Sequence, residues 1–210
     1  NANQALVNVY SAGQSPIEIA SNKSLTINTT GTWEEGDLLF GQITGSGNLV
    51  FGGDGYLDIV PNIEFGVVGG QTTFTGLTVV DGGGTLSLAR QGALGGSSEL
   101  RVSNGSSVVI DTIDQLWQET YPPQLVPNAD NALNTAINID LDSANNTGAT
   151  LSFGTNQTVN ALNTGSGAQV TIADGKILTI GSQGGGSAIN GDISGPGGLT
   201  LAGGTASIST

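Results

Sequence analysis

Acid–base chemistry in this sequence would have to come from its carboxylates. The chain carries seventeen Asp and Glu against four Lys and Arg, and it has no His and no Cys. A Ser-His-Asp or Cys-His arrangement therefore cannot be assembled within it, since the usual general base and the thiol nucleophile are both missing. Two carboxylates facing one cleft would suffice for glycoside hydrolysis, and Asp54, Asp58 and Glu64 form the nearest group. Pro61 and Asn62 put a turn between Asp58 and Glu64, and nothing in the spacing brings the three to one side. No catalytic residue and no cofactor are assigned, and the chain reads as a non-enzyme.

Two other sets of residues could make contacts. In the run INIDLDS, alternation would project Asn138, Asp140 and Asp142 to one face, where their oxygens could form a weak calcium site. The same alternation is accounted for by Ile137, Ile139 and Leu141 turning inward, so no metal is assigned. Aromatic residues make up only 5% of the chain, and a solvent-facing one could anchor a partner or stack on a sugar. Trp117 and Tyr121 are the binding candidates on that ground. The alternative is that they cover apolar surface left open by irregular backbone. Lys23 and Lys176, which follow Asn22 and Asp174-Gly175, read as turn residues protecting strand edges, and Gly195-Pro196-Gly197-Gly198 reads as a turn because no helix pattern follows and Pro replaces a free amide.

The elements that must position these groups are short strands. Three to six residues of strict alternation recur between Gly, Asn, Asp and Ser: Ile17-Glu18-Ile19, Leu25-Thr26-Ile27, Leu86-Ser87-Leu88, Val170-Thr171-Ile172, Leu178-Thr179-Ile180 and Leu199-Thr200-Leu201. Period-two alternation is the strand signature, and intervening Thr and Ser give each strand one buried and one solvated face. Thirty-five glycines among 210 residues far exceed the ordinary share of about 7%, and they fall between the apolar runs as turn residues. A hydrophobic fraction of 37% with a mean hydropathy of +0.06 supplies enough apolar surface to offset chain entropy. The formal charge of −13 disfavours nucleic acid and anionic membrane surfaces as partners. No apolar stretch is long enough for a transmembrane helix, and without a basic region and apolar core at its start the chain reads as a mature or excised segment.

Internal repetition selects among all-β architectures. IEIASNKSLTI from Ile17 lies over VTIADGKILTI from Val170 at a constant offset of 153, matching Ile19 with Ile172, Ala20 with Ala173, Lys23 with Lys176, Leu25 with Leu178, Thr26 with Thr179 and Ile27 with Ile180. Downstream, GQITGSGNLVFGG from Gly41 follows GDISGPGGLTLAG from Gly191, pairing Ile43 with Ile193, Gly45 with Gly195, Gly47 with Gly197 and Leu49 with Leu199. Strand, tight glycine turn and strand, repeated with variable insertions, is the product of stacked coils in which each rung buries its inner face on its neighbours. The expected fold is an all-β, right-handed parallel β-helix forming a single unit over 1–210. Its two related parts span about 11–55 and 163–205. The pattern lapses from Asp111 to Asn128, where Ile113, Leu116 and Trp117 have helical spacing before Pro122-Pro123. An irregular excursion is expected there.

The run TTFTGLTVVDGGGTLSLARQGALGGSSELRVSNGSSVVID, from Thr72 to Asp111, resembles the passenger-associated repeat of autotransporters. Thr73-Phe74-Thr75-Gly76 gives its first turn, Gly83-Gly84-Thr85-Leu86 its second strand, Ala93-Leu94-Gly95 its third element and Val108-Val109-Ile110 its last rung. The segments GYLDIVPNIEF and Trp117 to Pro127 depart from that consensus. The resemblance implies a bacterial surface-exposed or secreted virulence or adhesion factor exported through the periplasm, with any outer-membrane barrel lying outside this chain. It further implies a rigid stalk or adhesive surface whose partners are a host surface protein, matrix or glycan, or a neighbouring cell through self-association. An autochaperone that drives passenger export is the alternative, and a carbohydrate-active β-helix enzyme is a third.

Overall fold

A computed structural model describes residues 4–7, 10–11, 17–29, 37–40, 43–60, 63–64, 67–68, 73–88, 93–94, 96–110, 132–142, 148–181, 183–209. Every regular element among them is a β-strand, and almost every pair is parallel. Successive parallel strands cannot be joined by tight hairpins, so the chain must travel around a coil before it returns to the same face.

The resulting β-solenoid has three faces, visited in a fixed order on each turn. A first sheet of nine strands runs from Gln4–Val7 to Ala206–Ile208, and a second of eight runs from Tyr10–Ser11 to Asp192–Ser194. The third face is broken into pieces. It comprises the pair Ile17–Ile19 and Ile43–Gly45, an isolated parallel bridge between Leu94 and Leu133, and a sheet of Gln157–Val159, Ile177–Ile180 and Gly198–Leu201. The antiparallel pair Ile63–Glu64 and Val67–Val68 is the exception to parallel stacking.

Alternation fixes what lies inside. Parallel register stacks Leu25, Leu49, Thr78, Leu100, Ile139 and Leu162 into one internal file of the first sheet. Leu86, Val108, Leu151 and Val170 form another beneath the second sheet, beside Leu88, Ile110, Phe153 and Ile172. These side chains are buried, with Thr78 the one polar member. Its Oγ1 lies 3.0 Å from Ser97 Oγ, which donates to Gly76 O at 2.9 Å, so the hydroxyl in the core is satisfied.

Most turns are of similar length: Asn160 and Asn138 side chains meet across 22 residues, and the Ala188 N–H meets Asn163 Oδ1 across 25. One turn is far longer. Thr150 Oγ1 donates to Ser107 Oγ at 2.7 Å across a separation of 43 residues. The sheets nevertheless keep register over it, with Glu99–Val102 on Asn138–Leu141 and Ser107–Ile110 on Thr150–Phe153. The irregular excursion expected from Asp111 to Asn128 falls on residues 111–131, which lie outside the described residues. The segment that resembles the passenger repeat makes two successive turns, placing Phe74 and Leu94 on the third-face side and its alternating runs in the first two sheets.

The long internal repeat is a corner rather than a coil. In its first copy the strand Ile17–Ile19 belongs to the third face and the corner leads into Ser24–Thr29 of the first sheet. In its second copy Gln169–Ile172 belongs to the second sheet and the corner leads into Ile177–Ile180 of the third face. The local geometry is the same in both. Lys23 N–H donates to Ala20 O and Lys176 N–H to Ala173 O, each at 3.1 Å. Asn22 (φ 59°) and Gly175 (φ 66°) occupy the left-handed position of that turn, which Asn tolerates better than most side chains.

Candidate binding face

Outside the core, the stacked strands convert alternation into files of solvated side chains. On the first sheet, register sets Glu99 and Asn138 in one outward file, which ends on the buried Ala161, and Arg101, Asp140 and Asn163 in the next. Arg101 Nη2 is paired with Glu99 Oε1 at 2.8 Å. Asn138 is exposed, and its Oδ1 accepts from Asn160 Nδ2 at 2.9 Å, while Asn160 Oδ1 accepts the Gly185 N–H at 3.1 Å. Asn163 Oδ1 accepts the Ala188 N–H at 3.0 Å. The amide side chains thus bridge neighbouring turns along the solenoid.

The second sheet presents a different surface. Its positions between the internal files over five turns are Thr85 and Ser87, Ser107 and Val109, Thr150 and Ser152, Gln169 and Thr171, and Asp192 and Ser194, of which Ser87 is itself buried. Hydroxyls face hydroxyls along the stack, with Thr171 Oγ1 3.4 Å from Ser194 Oγ. Only Asp192 is charged in that set. The signal for this surface was present in the Thr and Ser that separate apolar residues in the strands, although sequence could not say that successive strands would bring them into one file.

The three oxygen-bearing residues of the NIDLDS run do not share a face. Asn138 and Asp140 belong to the strand Asn138–Leu141 and point outward, whereas Asp142 follows it with φ 55° and is buried at 3% exposure. The left-handed backbone breaks the alternation, and the Asp142 carboxylate accepts the Gly148 N–H at Oδ2, 3.2 Å away. The single face that alternation would give these three weak calcium candidates is corrected accordingly: Asp142 serves the turn after the strand. Ile137, Ile139 and Leu141 are fully buried, as the alternative reading of that run requires. Among the described residues no group of three or more His, Cys, Asp or Glu could hold a metal ion. Trp117 and Tyr121 lie outside the described residues. Of the carboxylates near Asp54, register places Asp58 between Leu38 and Ser87 on the second sheet, and Glu64 falls in the antiparallel pair.

Where the third face is interrupted, side chains take over hydrogen bonds that strands supply elsewhere. Leu133 N–H donates to the buried Gln157 Oε1 at 3.2 Å, and Gln157 Nε2 donates to Thr155 Oγ1 at 2.9 Å. The first sheet uses the same device where Ala161–Thr164 and Ser187–Ile189 pair only through Thr164 and Ile189: Ser187 Oγ accepts the Leu162 N–H at 3.0 Å, and Thr164 Oγ1 accepts from Asn190 and Gly191 N–H at 3.0 and 2.8 Å. Buried backbone amides must be paired, and these residues meet that demand. Compared with protein-family models, curated proteins and solved structures, the chain matches none of them.

Proposed function

We propose that this chain is a non-catalytic, autotransporter-like passenger segment, exported through the bacterial periplasm and displayed or released at the cell surface. There it acts as a rigid stalk whose lateral faces adhere to host protein, matrix or glycan, or to a neighbouring cell. The observation that supports this reading is the continuity of the first two sheets, which hold register across every described turn, including the long one. A register-locked stack repeats its outward side chains at strand spacing, about 4.8 Å, which favours many weak contacts along a line over a single site.

The test is adhesion of bacteria displaying the chain to immobilised matrix proteins and glycans. Three variants separate the surfaces: Thr150→Lys with Thr171→Lys on the second sheet, Asp140→Lys with Asn163→Lys on the first, and Trp117→Ala with Tyr121→Ala in the excursion. Display is checked by antibody and folding by circular dichroism. Adhesion is expected to drop at least several-fold for one of the three with display unchanged. Adhesion unaltered in all three, or no greater than that of an unrelated acidic protein, refutes the reading. If deletion of the segment instead abolishes display of whatever is fused before it, the autochaperone role replaces adhesion.

A further inference from the structure

The chain has two Asn-Gly pairs, Asn104-Gly105 and Asn190-Gly191. The fold sets both at the same vertex, where the first sheet gives way to the second. One lies between Glu99–Val102 and Ser107–Ile110, the other between Ser187–Ile189 and Asp192–Ser194. Such a pair is open to a reaction that needs no enzyme. The backbone nitrogen after an asparagine can attack that residue's own side-chain amide carbon, and glycine leaves the path clear because it has no Cβ. Both asparagines are exposed, so sequence and exposure do not tell them apart.

The backbone does. Asn104 and Gly105 have φ 54° and 72°, and Ser106 N–H donates to Ser103 O at 3.0 Å, which closes a turn whose two central residues are both left-handed. Turns of that kind favour Asn-Gly. Gly105 is itself exposed, and among the described residues no acceptor takes its N–H. At the other vertex the Gly191 nitrogen is held. Its N–H donates to Thr164 Oγ1 at 2.8 Å, the Asn190 N–H donates to the same oxygen at 3.0 Å, and a Cβ on Gly191 would lie 2.4 Å from Ala168 O. That backbone is packed on the preceding turn and cannot swing toward the side chain.

We propose that Asn104 is a site of spontaneous deamidation and isomerisation, and that Thr164 protects Asn190 from the same reaction. Hydroxide removes the Gly105 N–H proton, the nitrogen bonds to Asn104 Cγ, and the Cγ–Nδ2 bond breaks as ammonia leaves with a proton from water. Water then opens the cyclic imide at either carbonyl, giving aspartate, or isoaspartate in which the main chain runs through the former side chain. No oxidant, reductant or cofactor enters. Asn104 Nδ2 donates to Asp81 Oδ1 of the preceding turn. Either product loses that donor and sets a second negative charge beside Asp81, where like charges repel. The Gly83 N–H on Ser106 Oγ, at 3.1 Å, ties the same two turns, so the vertex loosens as the chain ages. The inference stands apart from the adhesive reading.

The test is peptide mapping by mass spectrometry of the intact folded chain incubated in mildly alkaline buffer, with isoaspartate separated by chromatography. Asn104 is expected to convert faster than Asn190 by roughly tenfold or more, the scale of one hydrogen bond, and the two rates are expected to converge in urea. Thr164→Val is expected to raise the Asn190 rate toward that of Asn104. Aged chain is expected to exchange the Gly83 and Ser106 amide hydrogens faster than fresh chain. Equal rates in the folded chain, or a difference that persists in urea, overturns the proposal. An Asn190 rate unmoved by Thr164→Val overturns the protective role, and unchanged exchange at Gly83 and Ser106 overturns the loosening. If Thr164→Val does not fold, the comparison of folded and urea-unfolded unaltered chain decides.

Discussion

The first two faces and the third are made by the same chain under the same stacking rules, yet they hold together differently. In the first and second sheets each strand finds its partner in the neighbouring turn, and backbone ladders carry most of the stack, narrowing to the single pair Thr164–Ile189 where Asn163, Thr164 and Ser187 side chains complete the bonding. On the third face, chain length between strands varies, pairing breaks, and Gln157 stands in for a missing backbone partner at Leu133. The difference shows where such a coil absorbs irregularity. Two continuous ladders suffice to keep register, so the third side is free to accept insertions, provided that each exposed amide is met by a side chain.

Substitutions can break or sharpen that contrast. Gly76→Val strikes the approach of one turn to the next, at a point where no side chain fits over Gly47 O, and is expected to cost on the order of 4 kcal/mol or more in urea unfolding. Phe153→Ala empties a fully packed position beneath the second sheet and is expected to cost about 3–5 kcal/mol. Gln157→Ala leaves the Leu133 N–H buried and unmet, a loss of about 1–3 kcal/mol. Hydrogen exchange at Leu133 is expected to accelerate while Leu151 stays protected. Equal acceleration at both would mean that the third face is not patched locally. Glu99→Gln removes an exposed ion pair from the first sheet's outer surface and is expected to change stability by only about 0–1 kcal/mol.

Much of this architecture was legible in the residues. Alternation in runs such as Leu86-Ser87-Leu88 gave the strands and their inward side, and the match between Ile17 and Val170 pointed to stacking. What could not be read was phase. The same corner sequence joins third face to first sheet in one copy and second sheet to third face in the other, because corner geometry depends on local turn residues while face identity depends on the sum of everything before it. Asp142 was misread for a related reason: a single left-handed residue after Leu141 reverses the alternation, and aspartate adopts that backbone without leaving a glycine to mark it. The binding candidates Trp117 and Tyr121 belong to the one stretch without period, where neither alternation nor stacking predicts position.

The corner's change of face has a consequence for how such chains can lengthen. If the repeating unit were a full coil, only duplications of whole coils would preserve the fold. A unit that works at more than one vertex permits copying in steps of a single side, with later insertions or deletions restoring the phase. Sequence periodicity in such a protein then records the history of its vertices, and the number of coils need not divide the spacing of its repeats.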